Sequence, residues 1–271
     1  MQLNIKIKQL YKPVQPAVKE KGTNVTYREI LPDPVLQSLI YCYWELRTHE
    51  TLVNPFTYRV VADGCIDIFF EMNDPAETFV MGFCKKYTEF PLANTFHYAG
   101  IRFFPTIFPA IFEIDAKELS NRYLKLDLIL KETSKFIENN FSSNITFPQM
   151  KSIFDSYFIK YPRIREIDID SRFLNALNLI LESYGVINVG KDLNTGLSER
   201  QLRRYFEYYI GDTAKTFSQV VRFQNILKAK PSTQSLKENK LFFDMGYYDQ
   251  AHFIKEFKNF YGVTPSKAFG R

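Results

Sequence analysis

The chain has 271 residues, a length that suits two domains of ordinary size better than one small module. Hydrophobic residues make up 45% and charged residues 24%, which disfavours wholesale disorder, and no apolar run approaches the roughly 18 residues of a bilayer span. The net charge of +5 is unevenly placed: residues 171–271 hold 15 Lys and Arg against 9 Asp and Glu, whereas residues 1–170 hold 20 against 21. A polyanionic partner is therefore sought at the C-terminal end.

The opening residues Met1 to Lys8 alternate polar and apolar side chains and do not form a secretory hydrophobic stretch, so a soluble, cytoplasmic protein is expected, with no membrane partner. Cys42, Cys65 and Cys84 are odd in number and far apart, which points to buried thiols and not to a disulfide framework. The first hundred residues read as strands: the alternating Leu3, Ile5 and Ile7, then Ile40 to Leu46, Tyr58 to Val61, Cys65 to Phe70, Phe79 to Met81 and His97 to Phe104. Asp63-Gly64 between two β-prone runs predicts a hairpin there. Ile107, Phe108, Ile111 and Phe112 fall on one helical face, and Leu126 to Phe141 and Phe147 to Tyr161 follow with helical spacing. Those two helices are expected to pack on the chain's own sheet or on a second protomer. The proline and alternating charges of Tyr161 to Asp170 suggest a linker.

From Ser171 onward the pattern is helical and contains an internal repeat. Ser198, Leu202, Arg204, Phe206, Tyr209, Gly211 and Thr213 recur, offset by 51 positions, as Asp249, Phe253, Lys255, Phe257, Phe260, Gly262 and Thr264. Each copy has an N-cap residue, an apolar pair four apart, a basic residue on another face and a closing glycine, which marks a duplicated supersecondary unit. A short helical segment and a turn precede each copy: Val189 to Leu193 with Asn194-Thr195-Gly196-Leu197, and Leu236 to Met245 with Gly246. This is the outline of a helix-turn-helix. Lys215 to Lys228 forms a helix between the units.

Burying Leu202, Phe206 and Tyr209 leaves Arg200, Arg203 and Arg204 projecting outward. A guanidinium can bond both O6 and N7 of guanine or hold a phosphate; a solvated arginine face is the plainer alternative. In the second copy the stripe Phe253, Phe257 and Phe260 leaves Gln250, Ala251, Lys255 and Lys258 exposed.

The stretch Leu197 to Phe206, Gly211, Arg222-Phe223-Gln224, Gly246 to Lys258 and Gly262-Val263-Thr264-Pro265 resembles the AraC/XylS family of bacterial transcription regulators over about the last hundred residues. The resemblance implies two helix-turn-helix units joined by a linker helix, each inserting one helix into the major groove of double-stranded DNA. By position it places base-facing residues at Arg200, Arg203, Arg204, Gln250, Ala251 and Lys255. It also implies RNA polymerase as a partner, and a homodimer and a small-molecule effector as candidates. This sequence departs from the family pattern in its short, polar Val189 to Leu193 segment, in Ala214-Lys215 and in bulky Phe242. Tyr43-Trp44, Ala62 to Phe70 and Gly100 to Pro105 are similar to the β-rich domain of uncharacterised role found in front of such regulators, implying a sensor or dimerisation module, cupin-like in shape. Tyr43, Trp44, Arg59 and Arg102, with Tyr41, are candidate pocket residues there, each with a structural role in the sheet as the plainer alternative.

Catalytic constellations are few. His49, His97 and His252 are isolated, no Cys or His pair has metal-ligand spacing, and no phosphate-cradling glycine loop or nucleophile elbow occurs. Asp63 is explained by its turn, and Asp67 has Arg59 as an expected partner. The expectation is an α+β protein with a β-rich sensor or dimerisation domain at 1–165 and an all-α DNA-binding domain at 166–271. Its expected role is sequence-specific transcription regulation, with no catalytic residues, cofactor or metal. A small-molecule-binding enzyme with a helical interaction tail is the alternative from another class, and an architectural DNA-binding protein is a third.

Overall fold

The computed structural model describes residues 3–16, 24–231 and 245–269. Eight strands and eleven α-helices are described among them. The strands are β1 (Val25–Ile30), β2 (Ile40–Thr48), β3 (Phe56–Val60), β4 (Ile66–Glu71), β5 (Asp74–Met81), β6 (Thr88–Leu92), β7 (His97–Phe103) and β8 (Tyr123–Lys125). Six of them form an antiparallel sheet in the order β1-β2-β7-β4-β5-β8, and β3 pairs with β6 in a separate two-stranded sheet.

Strand alternation explains the layering. Along β4 burial alternates residue by residue, with Ile66, Ile68 and Phe70 on one face and Asp67 and Phe69 on the other. The first face is covered by α2 (Ile107–Phe112), α4 (Lys131–Asn140) and α5 (Phe147–Lys160), with Phe70 against Phe141 and Phe154, and Phe103 against Phe108, Phe112 and Phe158. The helices expected at 126–141 and 147–161 thus pack on the chain's own sheet. On the second face Cys42, Trp44, Leu46, Tyr58 and Phe96 form a smaller apolar cluster. The three cysteines are free and buried.

Two readings of this half are corrected. Residues 3–7 are helical, not extended: α1 (Leu3–Leu10) packs on α6 (Ser171–Glu182), and Ile7 and Tyr11, four apart, are both buried. Apolar spacing in so short a stretch serves either element. Asp63-Gly64 does make a turn, in which the Cys65 N–H donates to Asp63 Oδ1 at 3.0 Å, but it joins no hairpin. The strand before it belongs to the small sheet and the strand after it to the large one. Strands β1, β6 and β8, absent from the sequence reading, complete the two sheets.

The C-terminal helices are α6, α7 (Val189–Asp192), α8 (Glu199–Ile210), α9 (Ala214–Ala229), α10 (Gln250–Tyr261) and α11 (Pro265–Phe269); α3 (Ala116–Leu119) lies earlier in the chain. The segment at 162–165 is a 3-10 turn whose Arg163 pairs with Glu113. Phe173 of α6 packs on Tyr205, Phe206 and Tyr209 of α8. The helix expected from Leu236 and Phe242 lie outside the described residues. The main core is continuous from the strands and α2 through α6, α8, α9 and α10.

The duplicated glycines both end their helices in the left-handed region, Gly211 at φ 98° and Gly262 at φ 95°, as helix C-caps often do. Both also face the β-rich half. A Cβ on Gly211 would stand 2.8 Å from the Ala116 carbonyl oxygen, and one on Gly262 would stand 3.0 Å from Arg59 and Tyr87. Gly211→Ala is expected to cost about 1–3 kcal/mol in backbone strain, with the contact added to it. Gly190→Ala, where a Cβ meets only Asn188 Oδ1 at 3.7 Å, is expected to be neutral or stabilising by about 0.4–1 kcal/mol. Urea unfolding of the two variants checks the contrast, and equal losses would remove the role assigned to Gly211.

Candidate nucleic-acid interface

Helix α8 begins at a capping box: Ser198 Oγ accepts from the Gln201 N–H at 3.3 Å, and Gln201 Oε1 accepts from the Ser198 N–H at 3.1 Å. Leu202, Phe206 and Ile210 are buried, whereas Tyr209 is half-buried. Arg200, Arg203 and Arg204 are all exposed. Arg203 Nε donates to Glu207 Oε1 at 2.9 Å, and Lys117 Nζ of α3 donates to Glu207 Oε2 at 2.9 Å. These cations hold the Glu207 carboxyl below its ordinary pKa, the Lys117 hydrogen bond contributing most. Arg200 and Arg204 have no ion pair among the described residues and remain free for an anionic partner.

Helix α10 is capped by Asp249, whose Oδ1 accepts from the His252 N–H at 2.7 Å. Phe253, Phe257 and Phe260 are buried, and Gln250, Ala251, Lys255 and Lys258 are exposed. The exposed positions expected from the repeat are thus present on both helices, more basic on α8 than on α10.

A buried polar cluster, which the sequence reading missed, fixes α10 to the connecting helix α9. Arg222 Nη2 donates to Glu256 Oε1 at 2.8 Å and to Oε2 at 3.0 Å, Gln219 donates to Oε2 at 3.0 Å, and the Tyr247 hydroxyl donates to Oε1 at 2.7 Å. The Arg222 guanidinium also lies 4.1 Å from the Tyr247 ring centroid. Burial pushes the Tyr247 hydroxyl pKa up, with Glu256 adding to it. The signal was present at Arg222, Tyr247 and Glu256, but only the fold brings them together.

The β-rich half grips both units near the C-terminal ends of α8 and α10. Besides Lys117 on α8, Lys85 Nζ pairs with Asp212 at 2.7 Å. The Tyr87 N–H donates to the Asn259 carbonyl at 3.2 Å, Asn259 Nδ2 donates to the Lys85 carbonyl at 2.8 Å, and the Ala62 N–H donates to the Phe260 carbonyl at 3.4 Å. The N-terminal halves of the two helices, which carry Arg200, Arg203, Gln250 and Ala251, are left clear of these contacts.

A cavity of about 270 Å³ lies between the two sheets. Trp44 and Arg102 line it, as do Asp63 and Asp67. Tyr41, Tyr43 and Arg59, the other candidate pocket residues, do not. Alternation along β2 sends Tyr43 to the opposite face, where its hydroxyl donates to Asp155 at 2.9 Å. Arg59 instead pairs with Glu89 at 2.7 Å and lies over the Tyr87 ring. Asp67 therefore bonds not to Arg59 but to Arg102, from Nε at 3.1 Å and Nη2 at 2.9 Å, because the two residues are cross-strand neighbours on β4 and β7. Burial pushes the Asp67 pKa up to about 6 against the pull of Arg102. His97 is a satisfied core histidine bonded to Glu45 at 2.9 Å. Among the described residues no group of three or more His, Cys, Asp or Glu is placed to hold a metal ion, and no helix is long and apolar enough to cross a membrane.

Two capped helices of matching pattern, each following a turn and presenting cations, define a DNA-binding protein of the helix-turn-helix class. Residues 194–271 match the family described as Helix-turn-helix domain, and this region is a helix-turn-helix domain of the AraC type. The chain is accordingly a DNA-binding transcription regulator. Residues 28–125 match a family described only as a domain of unknown function, DUF6597. No curated protein matches. Among solved structures, the chain is similar to ToxT from Vibrio cholerae O395, at 13% identity over 80% of this chain and 96% of that one, with a TM-score of 0.39. It is also similar to unsaturated fatty acid bound wild-type ToxT from Vibrio cholerae strain SCE256, at 10% identity over 91% and 93% of the two chains, with a TM-score of 0.37. The assignment rests on the domain match and on the geometry of α8 and α10.

Arg222→Ala is expected to cost about 3–5 kcal/mol, since Glu256 would be left buried without its cation. Urea unfolding of the full chain measures the loss; a change below about 1 kcal/mol would show that the cluster does not hold α10 to α9.

Proposed function

We propose that the protein reads a specific DNA site by setting α8 and α10 into the major groove, with α9 holding them at a fixed separation. The observation that carries this reading is the arginine face of α8: three exposed guanidiniums stand at the N-terminal half of a helix whose opposite side is buried. Arg200, Arg203 and Arg204 contact bases or phosphates, and Gln250, Ala251, Lys255 and Lys258 supply the second contact set. Sixteen residues of α9 at 1.5 Å each span about 24 Å, a separation compatible with two helices on one face of a duplex whose turn repeats at about 34 Å.

In this reading residues 166–271 are the DNA-reading part and residues 1–165 a regulatory part that acts without a catalytic step. Support for regulation comes from the grip on α8 and α10: the segments that hold them, around Ala62 and Lys85 to Tyr87, continue directly into the walls of the cavity. A small molecule bound there changes DNA affinity by shifting those segments.

Arg200→Ala and Arg204→Ala are each expected to weaken binding to a selected cognate duplex by about 1–3 kcal/mol, with a smaller effect on unrelated sequences. Fluorescence anisotropy at several salt concentrations checks this. Equal losses on all sequences, with a shallower salt dependence, would assign these arginines to phosphates, and no loss on any sequence would overturn the α8 reading.

A further inference from the structure

The cavity between the sheets has a chemistry that selects among ligands. Seven of its described lining side chains are aromatic, and the charged ones are Asp63, Asp67 and Arg102. Trp44 and Tyr58 are buried in its wall, and Tyr123 at its edge is 50% exposed. Among the described residues its charged groups are two carboxyls against one guanidinium, with no lysine or second arginine.

That guanidinium is already committed. Arg102 is 2% exposed and spends Nε and Nη2 on Asp67. Its Nε also lies 3.4 Å from Asp63, and its Nη1 donates to the Tyr27 hydroxyl at 3.4 Å. An anionic ligand would have to displace a carboxylate to reach it, leaving that carboxylate buried and unpaired. Asp67 Oδ2 accepts from both Trp44 Nε1 at 3.0 Å and Arg102 Nη2 at 2.9 Å. Asp67 Oδ1, on Arg102 Nε, and Asp63 Oδ2, on Gln15 Nε2 at 2.7 Å, each hold one hydrogen bond and keep acceptor capacity, since each carboxylate oxygen takes more than one donor. Burial, with the neighbouring Asp63 adding to it, raises the Asp67 pKa against the pull of Arg102. Aromatic faces carry negative potential and attract cations, most strongly where water is excluded.

We propose that this cavity binds a small organic cation, with its ammonium group beside Asp67 and Asp63 and its apolar or aromatic body against Trp44, Tyr58 and Phe90. The volume, just below the roughly 300–1,000 Å³ common for small-molecule sites, limits the ligand to a compact one. The assignment names the effector class for the regulatory reading above and therefore rests on it for its biological role, although binding itself does not.

The chain contains one tryptophan, and Trp44 lines the cavity, so intrinsic fluorescence reports entry at this site. Full-length protein is titrated with benzyltrimethylammonium, with its uncharged isostere neopentylbenzene and with 3-phenylpropanoate. The cation is expected to bind saturably and at least tenfold more tightly than either of the others. Absence of saturable cation binding, or equal or tighter binding of the neutral or anionic compound, overturns the proposal. Asp67→Asn is expected to shrink the preference for the cation over its isostere to less than threefold. Because Asp67 also holds Arg102, Tyr123→Leu at the edge of the cavity is measured alongside it. That variant should weaken the cation several-fold and the neutral compound less; an unchanged ratio in both variants overturns the placement. DNA affinity is then measured with and without saturating cation. Fluorescence binding with unchanged DNA affinity supports the cavity assignment and removes the regulatory reading, whereas a fluorescence null overturns the cavity assignment whatever the DNA result.

Discussion

The turn from Val61 to Cys65 is the point through which the two halves of the molecule are tied. Gln15 Nε2 donates to the Val61 carbonyl at 2.9 Å and to Asp63 Oδ2 at 2.7 Å, and its Oε1 accepts from the Val61 N–H at 3.0 Å. The Tyr11 hydroxyl donates to the Asp63 carbonyl at 2.6 Å. From the other side, Gln224 of α9 donates to the Ala62 carbonyl at 2.7 Å and accepts from the Val14 N–H at 2.6 Å. Phe217 of α9 packs on Gly64, where a Cβ would stand 3.1 Å from its ring. Backbone polar groups buried this deeply need partners, and here they find them in the N-terminal segment, the connecting helix and α10. Removing the turn's partners would expose unsatisfied groups in both halves at once.

Helix α9 is the other side of that junction and carries two different attachments. Gln224 faces the turn, while Arg222 and Gln219 face Glu256 on α10. The connecting helix is therefore more than a spacer of fixed length. It positions α10 by a buried ion pair and is itself positioned by the β-rich half. The first unit is held differently, by the α6 aromatics against Tyr205, Phe206 and Tyr209 and by Lys117 on Glu207. This division follows from composition: α7 is four residues long and has no buried residue, so α6 supplies the apolar surface that α8 requires.

Much of the candidate interface was legible in the sequence because helical burial has a period. Once Leu202 and Phe206 face the core, Arg200, Arg203 and Arg204 have nowhere to go but outward, and the caps Ser198 and Asp249 mark the starts of their helices by local chemistry alone. The cavity was only half legible. Trp44 and Arg102 are on its walls, but Tyr41, Tyr43 and Arg59 are not, since which face of a strand is inward depends on the sheet that covers it. The Asp63-Gly64 turn shows the same limit. Its local chemistry is that of a tight turn, whereas the destinations of its flanking strands are decided by pairing with β6 and β7, far away in the chain. Arg102 with Asp67, and Arg222 with Glu256, are likewise pairs that only tertiary contact creates.

The proposed coupling between cavity and DNA is of a size that this junction can carry. Allosteric coupling amounts typically to about 1–3 kcal/mol, and a typical intramolecular hydrogen bond contributes about 0.5–1.5 kcal/mol net. The contacts on the end of α10 from Ala62 and Tyr87 are two backbone hydrogen bonds of 3.4 and 3.2 Å, with Asn259 on the Lys85 carbonyl as a third. Weakening or strengthening this set therefore spans the required range without repacking the core. A ligand achieves that only by favouring one arrangement of the segments over another. Val61 and Asp63 at one side, and Cys84 at the other, line the cavity one to three residues from the groups that grip α10.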